Sequence, residues 1–193
     1  MEKIYLEDKT FNKIDFKENP LTIGEYENCN FINCDFSNTN LSDIKFSKCE
    51  FDSCNLSLAK LTKTAFRDIK FKDCKMLGLH FENCNEFGLS LSFQNCSLNH
   101  SSFYKTKIKR TTFNHSQLQE IDFTETDLTS SLFDNCDLTG ATFDNTIIEK
   151  ADFRTSNNYS IDPEINRIKR AKFSLYGISG LLHKYDIEID ITN

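Results

Sequence analysis

The sequence predicts an all-β chain wound as a right-handed β-helix with four short sides per coil, about 6–7 coils long, ending in a short C-terminal helix and strand. Three observations predict it. A large apolar residue recurs at every fifth position over most of the chain. Cysteines recur at a spacing of 20 residues in one phase of that period, and phenylalanines recur at the same spacing in another.

The five-residue period comes first, because a repeat decides the architecture before any single element does. From Phe31 the series runs Phe36, Leu41, Phe46, Phe51, Leu56, Leu61, Phe66, Phe71, Met76, Phe81. It slips by two residues and resumes as Phe93, Leu98, Phe103, Ile108, Phe113, Leu118, Phe123, Leu128, Phe133, Leu138, Phe143, Ile148, Phe153. Backwards, Phe11, Phe16, Leu21 and Tyr26 keep the first phase. Five residues of α-helix overshoot a full turn by roughly 140°, which smears the apolar positions around the cylinder. In a straight strand five is odd, so successive large residues would alternate faces. What remains is a chain that stays extended for about three residues and then turns a corner. A small residue stands two places before most of the large ones (Cys34, Thr39, Cys49, Cys54, Ala59, Thr64). Both point inward, the polar residue between them points out, and the next two make the corner.

The number of sides follows from the ladders, since stacked coils place like residues over like. Cys34, Cys54 and Cys74 are 20 apart, and after the slip Cys96, Ser116 and Cys136 continue the series. Phe31, Phe51, Phe71, Phe93, Phe113, Phe133 and Phe153 form an independent column. Both give four repeats per coil, and their agreement fixes the slip as a two-residue insertion near 86–91. These two columns are the expected core. At about 4.8 Å per strand spacing the rod is roughly 30–35 Å long. The helix is expected over residues 1–173, with an excursion over 154–167.

After Phe153 the register stops in the turn-rich run Thr155 to Pro163, and Ile168 and Phe173 rejoin it. Ser174 is placed to cap a short helix, with Leu175, Ile178, Leu181, Leu182 and Tyr185 at helical spacing. The run Ile187 to Ile191 alternates like an edge strand. This 174–193 segment is expected to plug the open coil, to pair with a second copy, or to do both.

Ala151-Asp152-Phe153-Arg154-Thr155, Cys34-Asp35-Phe36-Ser37-Asn38 and Cys136-Asp137-Leu138-Thr139-Gly140 resemble the A-[DN]-[LF]-x-x unit of the pentapeptide repeat proteins, over about residues 11 to 153. The resemblance implies that family's right-handed quadrilateral β-helix. The quinolone-resistance (Qnr-type) branch is dimeric, acts on DNA gyrase and topoisomerase IV, and has been read as a mimic of duplex DNA. Members that protect gyrase best tend to carry loops projecting from the coils. This chain departs from that pattern, since its only break inside the coil is two residues long.

Composition narrows the rest. Net charge is −6, from 23 basic and 29 acidic residues, which disfavours direct contact with nucleic acid or an anionic membrane. Met1 to Lys9 lacks the apolar core of a signal peptide and no apolar run is long enough to span a bilayer, so the expected compartment is the cytoplasm. Eight cysteines are there expected as thiols. All eight occupy the small inward slot, and stacked thiols at strand spacing fit neither a tetrahedral zinc site nor disulfide geometry. His80, His100, His115 and His183 form no ladder. No phosphate loop, G-x-S-x-G or H-E-x-x-H occurs. No catalytic, cofactor or metal site is expected, and the reading is of a non-enzymatic protein.

Charge is unevenly spread. Residues 111–149 contain no Lys or Arg but hold Glu120, Asp122, Glu125, Asp127, Asp134, Asp137, Asp144 and Glu149, more acid than the chain's whole net charge. From Glu120 to Glu149 this band covers ~7 Å of axis, a length over which B-DNA carries about four phosphates. Just before it, Lys105, Lys107, Lys109 and Arg110 form a basic cluster. Two functions stand open: a DNA-mimicking modulator of a type II topoisomerase that binds through the acidic band and dimerises through its C-terminus, or a cytoplasmic protein-interaction scaffold with no topoisomerase role.

Overall fold

The protein is described over residues 4–190 by a computed structural model. The chain coils through two parallel sheets joined by single-residue bridges. One is seven-stranded and carries, in stacking order, Thr10–Asn12, Asn30–Ile32, Glu50–Asp52, Ile69–Lys72, Leu91–Gln94, Thr112–Asn114 and Leu132–Asp134. The other is four-stranded: Ile4–Glu7, Gly24–Glu27, Lys45–Ser47 and Ala65–Arg67. The four sides are named below for the inward residue that each contributes to one coil: Phe113, Leu118, Phe123 and Leu128. The seven-stranded sheet is the Phe113 side and the four-stranded sheet is the early half of the Leu128 side.

The register is the one the ladders predict. Phe31 pairs with Phe51, and Phe93 with Phe113 and then Phe133. Across the slip Phe71 pairs with Phe93 and Lys75 with Ser97, both 22 residues on. The Phe column runs one ring beyond the expected set at each end, from Phe11 to Phe173. Its neighbouring centroids are 4.4–5.5 Å apart and its planes lie within 26° of parallel. Rings of adjoining columns meet it edge-on, as Phe123 meets Phe113 at 5.9 Å, so both favourable quadrupole geometries occur in one core.

Most corners are turned by a left-handed residue two places after the large one, among them Asn33, Ser53, Asp73, Asn95, His115 and Asn135, with φ between 49° and 56°. Such backbone is costly away from glycine. Each of these corner amides donates to the next coil, as Asn95 does to the Asn114 carbonyl (2.9 Å), His115 to the Asp134 carbonyl (2.7 Å) and Asn135 to the Thr155 hydroxyl (3.0 Å), which offsets the strain.

The inserted pair forms a small loop on the Leu128 side, where the four-stranded sheet ends. It turns Phe87 out to 76% exposure under the Arg67 guanidinium. The excursion is narrower than expected. Asn157 bridges Asp137, Arg167 bridges Ile147 and Lys172 bridges Asp152, all at the 20-residue spacing, so only 158–165 leaves the ladder. It leaves in order to receive the C-terminal cap: the Ile161 amide donates to the Gly180 carbonyl, and Lys184 pairs with Asp162 and Glu164. Gly180 is required there, because a Cβ would lie 2.3 Å from the Tyr159 carbonyl oxygen.

The expected short helix is present as a 3₁₀ helix over Leu175–Leu181, with Ser174 as its cap accepting from the Gly177 amide, followed by a second short 3₁₀ helix over His183–Tyr185. The expected edge strand needs correction. Residues 186–190 form no strand, since no partner strand lies beside them, and Ile187 and Ile189 are exposed. Ile191 lies outside the described residues. The cap still covers the coil, with Gly180 buried and Leu181 packed against the core.

Candidate interaction surface

The inward face is filled ring to ring, so chemistry reaches solvent only from the outward positions. All eight thiols are free; seven are buried and Cys84, beside the inserted loop, is partly exposed. The buried seven pack into the hydrophobic core from the inward slot. The structure adds a second role: each of the seven buried thiols donates to the carbonyl of the large residue 23 or 25 positions earlier. Cys54 Sγ donates to Phe31 O (3.2 Å), Cys96 to Phe71 O and Cys136 to Phe113 O (both 3.4 Å). Thr64, Thr126, Thr146 and Ser156 do the same with hydroxyls. A buried carbonyl that accepts this bond explains why the slot interchanges Cys, Ser and Thr.

Burial pushes the Cys49 and Cys136 thiols up to about 11, which leaves them protonated and unreactive near neutrality. Ellman titration of the native protein should therefore count at most Cys84 promptly and the rest only after denaturation. Prompt reaction of most of the eight would contradict this packing. His80, His100, His115 and His183 are exposed. Among the described residues no group of three His, Cys, Asp or Glu converges as metal ligands, and no helix is long and apolar enough to cross a membrane.

The eight acidic residues of the band do not form one patch. Asp134 stands on the Phe113 side, Glu120 and Asp137 on the Leu118 side, Asp122, Glu125 and Asp144 on the Phe123 side, and Asp127 and Glu149 on the Leu128 side. Several are structural. Asp122, Asp127 and Asp137 accept from the backbone amides of Thr124, Thr129 and Thr139, two residues on. Asp35 and Asp152 do likewise. These side-chain turns hold the corner, which is a physical reason for Asp at these five positions before a large residue. Cations neutralise others: Lys105 pairs with Glu125 (3.5 Å), Lys109 with Asp127 (3.0 Å) and Arg167 with Glu149 (2.7 Å). Asp122, Asp134, Asp137 and Asp144 make no ion pair among the described residues, and they lie on three adjoining sides. The basic cluster is divided too, with Lys105 on the Phe123 side and Lys107, Lys109 and Arg110 on the Leu128 side.

The corner carboxylates couple the fold to pH. Against an opposing effect of burial, hydrogen bonds from Thr139, Asn158 and Gln119 hold the Asp137 carboxyl at about 2. The Arg154 side chain, with its amide and Lys172, holds Asp152 at about 2. A depressed carboxyl stabilises the fold above its unfolded pKa of about 3.9 and loses that contribution as pH falls through the folded value. The melting temperature should therefore drop between about pH 4 and 2, and Asp137→Asn should flatten part of the drop. A profile that is level across this range would contradict the assignment.

At the C-terminal end Leu175, Tyr176, Ile178, Tyr185 and Ile187 are 42–80% exposed, an apolar cluster larger than isolated surface residues make. Leu182 is partly covered.

A family profile described as "Pentapeptide repeat region" matches residues 25–91 and 89–159. Among solved structures, a trypsin-treated variant of QnrB1, a plasmid-mediated fluoroquinolone resistance protein, superposes with a TM-score of 0.59 at 21% identity, covering 96% of this chain and 99% of that one. HetL, a pentapeptide repeat protein involved in heterocyst differentiation regulation from the cyanobacterium Nostoc, gives 0.50 at 11% identity, over 88% and 87%. No curated protein matches the sequence. At these identities the likeness is one of fold.

Proposed function

This chain belongs to the pentapeptide repeat family, and from that premise we propose that it works by being bound, as a rigid non-enzymatic rod in the cytoplasm whose outer sides engage another protein. The observation that carries the reading is the division of labour around each coil. Inward residues are spent on the core, while outward residues sit on a backbone fixed by bonds between coils, so the surface is pre-organised for contact. A type II topoisomerase is the partner to test first. Three adjoining sides present carboxylates without cation partners, and an acidic rod competes for enzyme surfaces that hold duplex DNA. The Qnr-type resemblance points the same way.

Purified gyrase and topoisomerase IV should bind the immobilised protein at micromolar concentration, more weakly as salt rises. Absence of binding at low salt would remove the topoisomerase and leave the scaffold reading, which the division of acids among the sides also supports.

The apolar cluster of Leu175, Ile178 and Tyr185 is proposed as a two-fold dimer contact continuing the cap. Light scattering should return twice the chain mass, and Ile178→Asp should return the chain mass. A monomer in the unmodified protein would leave the cap as a plug only.

A further inference from the structure

Whole-chain charge conceals a separation between sides. On the Leu128 side the later coils carry Lys107, Lys109 and Arg110, then Lys150, then Arg167, Lys169 and Arg170. All of them are exposed. The rungs are in register, since Lys107 bridges Asp127, Asp127 bridges Ile147 and Ile147 bridges Arg167. Arg110, Ser130, Lys150 and Arg170 consequently stand in one vertical line at the left-handed corner. The side's two carboxylates are already matched, Asp127 by Lys109 and Glu149 by Arg167. Lys107, Arg110, Lys150, Lys169 and Arg170 make no ion pair among the described residues. The early half of the same side is different: there Lys45 pairs with Glu25 and Lys48 with Glu27, and the inserted loop at Phe87 separates the halves.

We propose that this surface binds the phosphate backbone of duplex nucleic acid. The four rungs from Arg110 to Arg170 span about 14 Å. Over that length a duplex carries about eight phosphates, roughly half of them facing one flat wall, at one per ~1.7 Å. Five uncompensated cations on a rigid wall match that density. A protein partner fits less well. Protein interfaces are enriched in aromatic residues and depleted in Lys, whereas the outward positions here hold no aromatic residue and Ile147 is the one large apolar side chain among them. Backbone contact carries no base preference, so binding should be independent of sequence. The proposal does not depend on the protein-binding reading, and its test contains no enzyme.

Fluorescence anisotropy of a labelled 25-base-pair duplex is the direct test. The unmodified protein should bind, with log K falling against log salt at a slope between about −3 and −5, set by about 0.9 per phosphate contact. A variant with Lys107, Arg110, Lys150, Lys169 and Arg170 all changed to Gln should lose at least tenfold in affinity and most of the slope. A control with Lys13, Lys60, Lys63, Lys70 and Lys75 changed to Gln has the same net charge and should keep both. Equal losses in the two variants, or no binding at 50 mM salt, would overturn the assignment. So would binding to phosphatidylserine vesicles or polyglutamate with none to the duplex.

Discussion

Phe113→Ala is expected to lower unfolding free energy by about 3–5 kcal/mol, while Asn114→Ala next to it costs little. Phe113 is fully buried and stacks on Phe93 at 5.1 Å and Phe133 at 4.9 Å, with Phe103 and Phe123 edge-on. Removing the ring opens a cavity in the middle of a column whose neighbours are held by strand pairing on both sides and cannot collapse into it. Asn114 points outward and its amide donates to Asp134 across a half-exposed rung, a contact of the kind that contributes about 1 kcal/mol or less. Denaturant melts of the two variants measure the difference. Equal losses would contradict the inward–outward register on which every surface assignment depends.

The second large effect concerns the partner. Changing Glu120, Asp134 and Asp144 together to Lys is expected to abolish any action on a type II topoisomerase while leaving the melting temperature close to that of the unmodified protein. These three are chosen because the hydrogen bonds that Asp134 and Asp144 accept come from side chains and not from the backbone, whereas Asp122, Asp127 and Asp137 accept from backbone amides. Reversal there would disturb the fold along with the charge. Each change moves the local charge by two units on one of three adjoining sides, which turns attraction to a basic enzyme surface into repulsion. A variant that folds and keeps its full effect would remove the charge-based mechanism.

The fold was legible because an in-register parallel coil makes spatial neighbours out of residues a fixed number apart. Reading Cys34 over Cys54 or Phe113 over Phe133 in the sequence is already reading the structure. The insertion near 86–91 was legible for the same reason, since two columns shift by the same amount. The cap was legible in part. Ser174 and the spacing of Leu175, Ile178 and Leu181 mark a short helix, and their interval of three is the 3₁₀ period. The contact of Gly177 and Gly180 with Tyr159 lies outside the repeat and was not legible.

The candidate surface was half legible. The acidic run was visible along the chain, yet sides are read down columns, and the run winds around all four of them. The cations escaped for the same reason. Arg110, Lys150 and Arg170 look scattered until charge is scanned at the 20-residue period, as cysteine and phenylalanine were. The donor role of the slot thiols left a trace as well, because Cys, Ser and Thr share the position where an apolar slot would prefer Ala.

Supercoiling by purified gyrase, with and without a fluoroquinolone, over a titration of the unmodified protein tests the central claim most directly. The account predicts that micromolar protein changes the rate of supercoiling or restores it in the presence of the drug, and that the change fades as salt screens the carboxylates. Supercoiling that is unaltered at every concentration, drug present or absent, would contradict it.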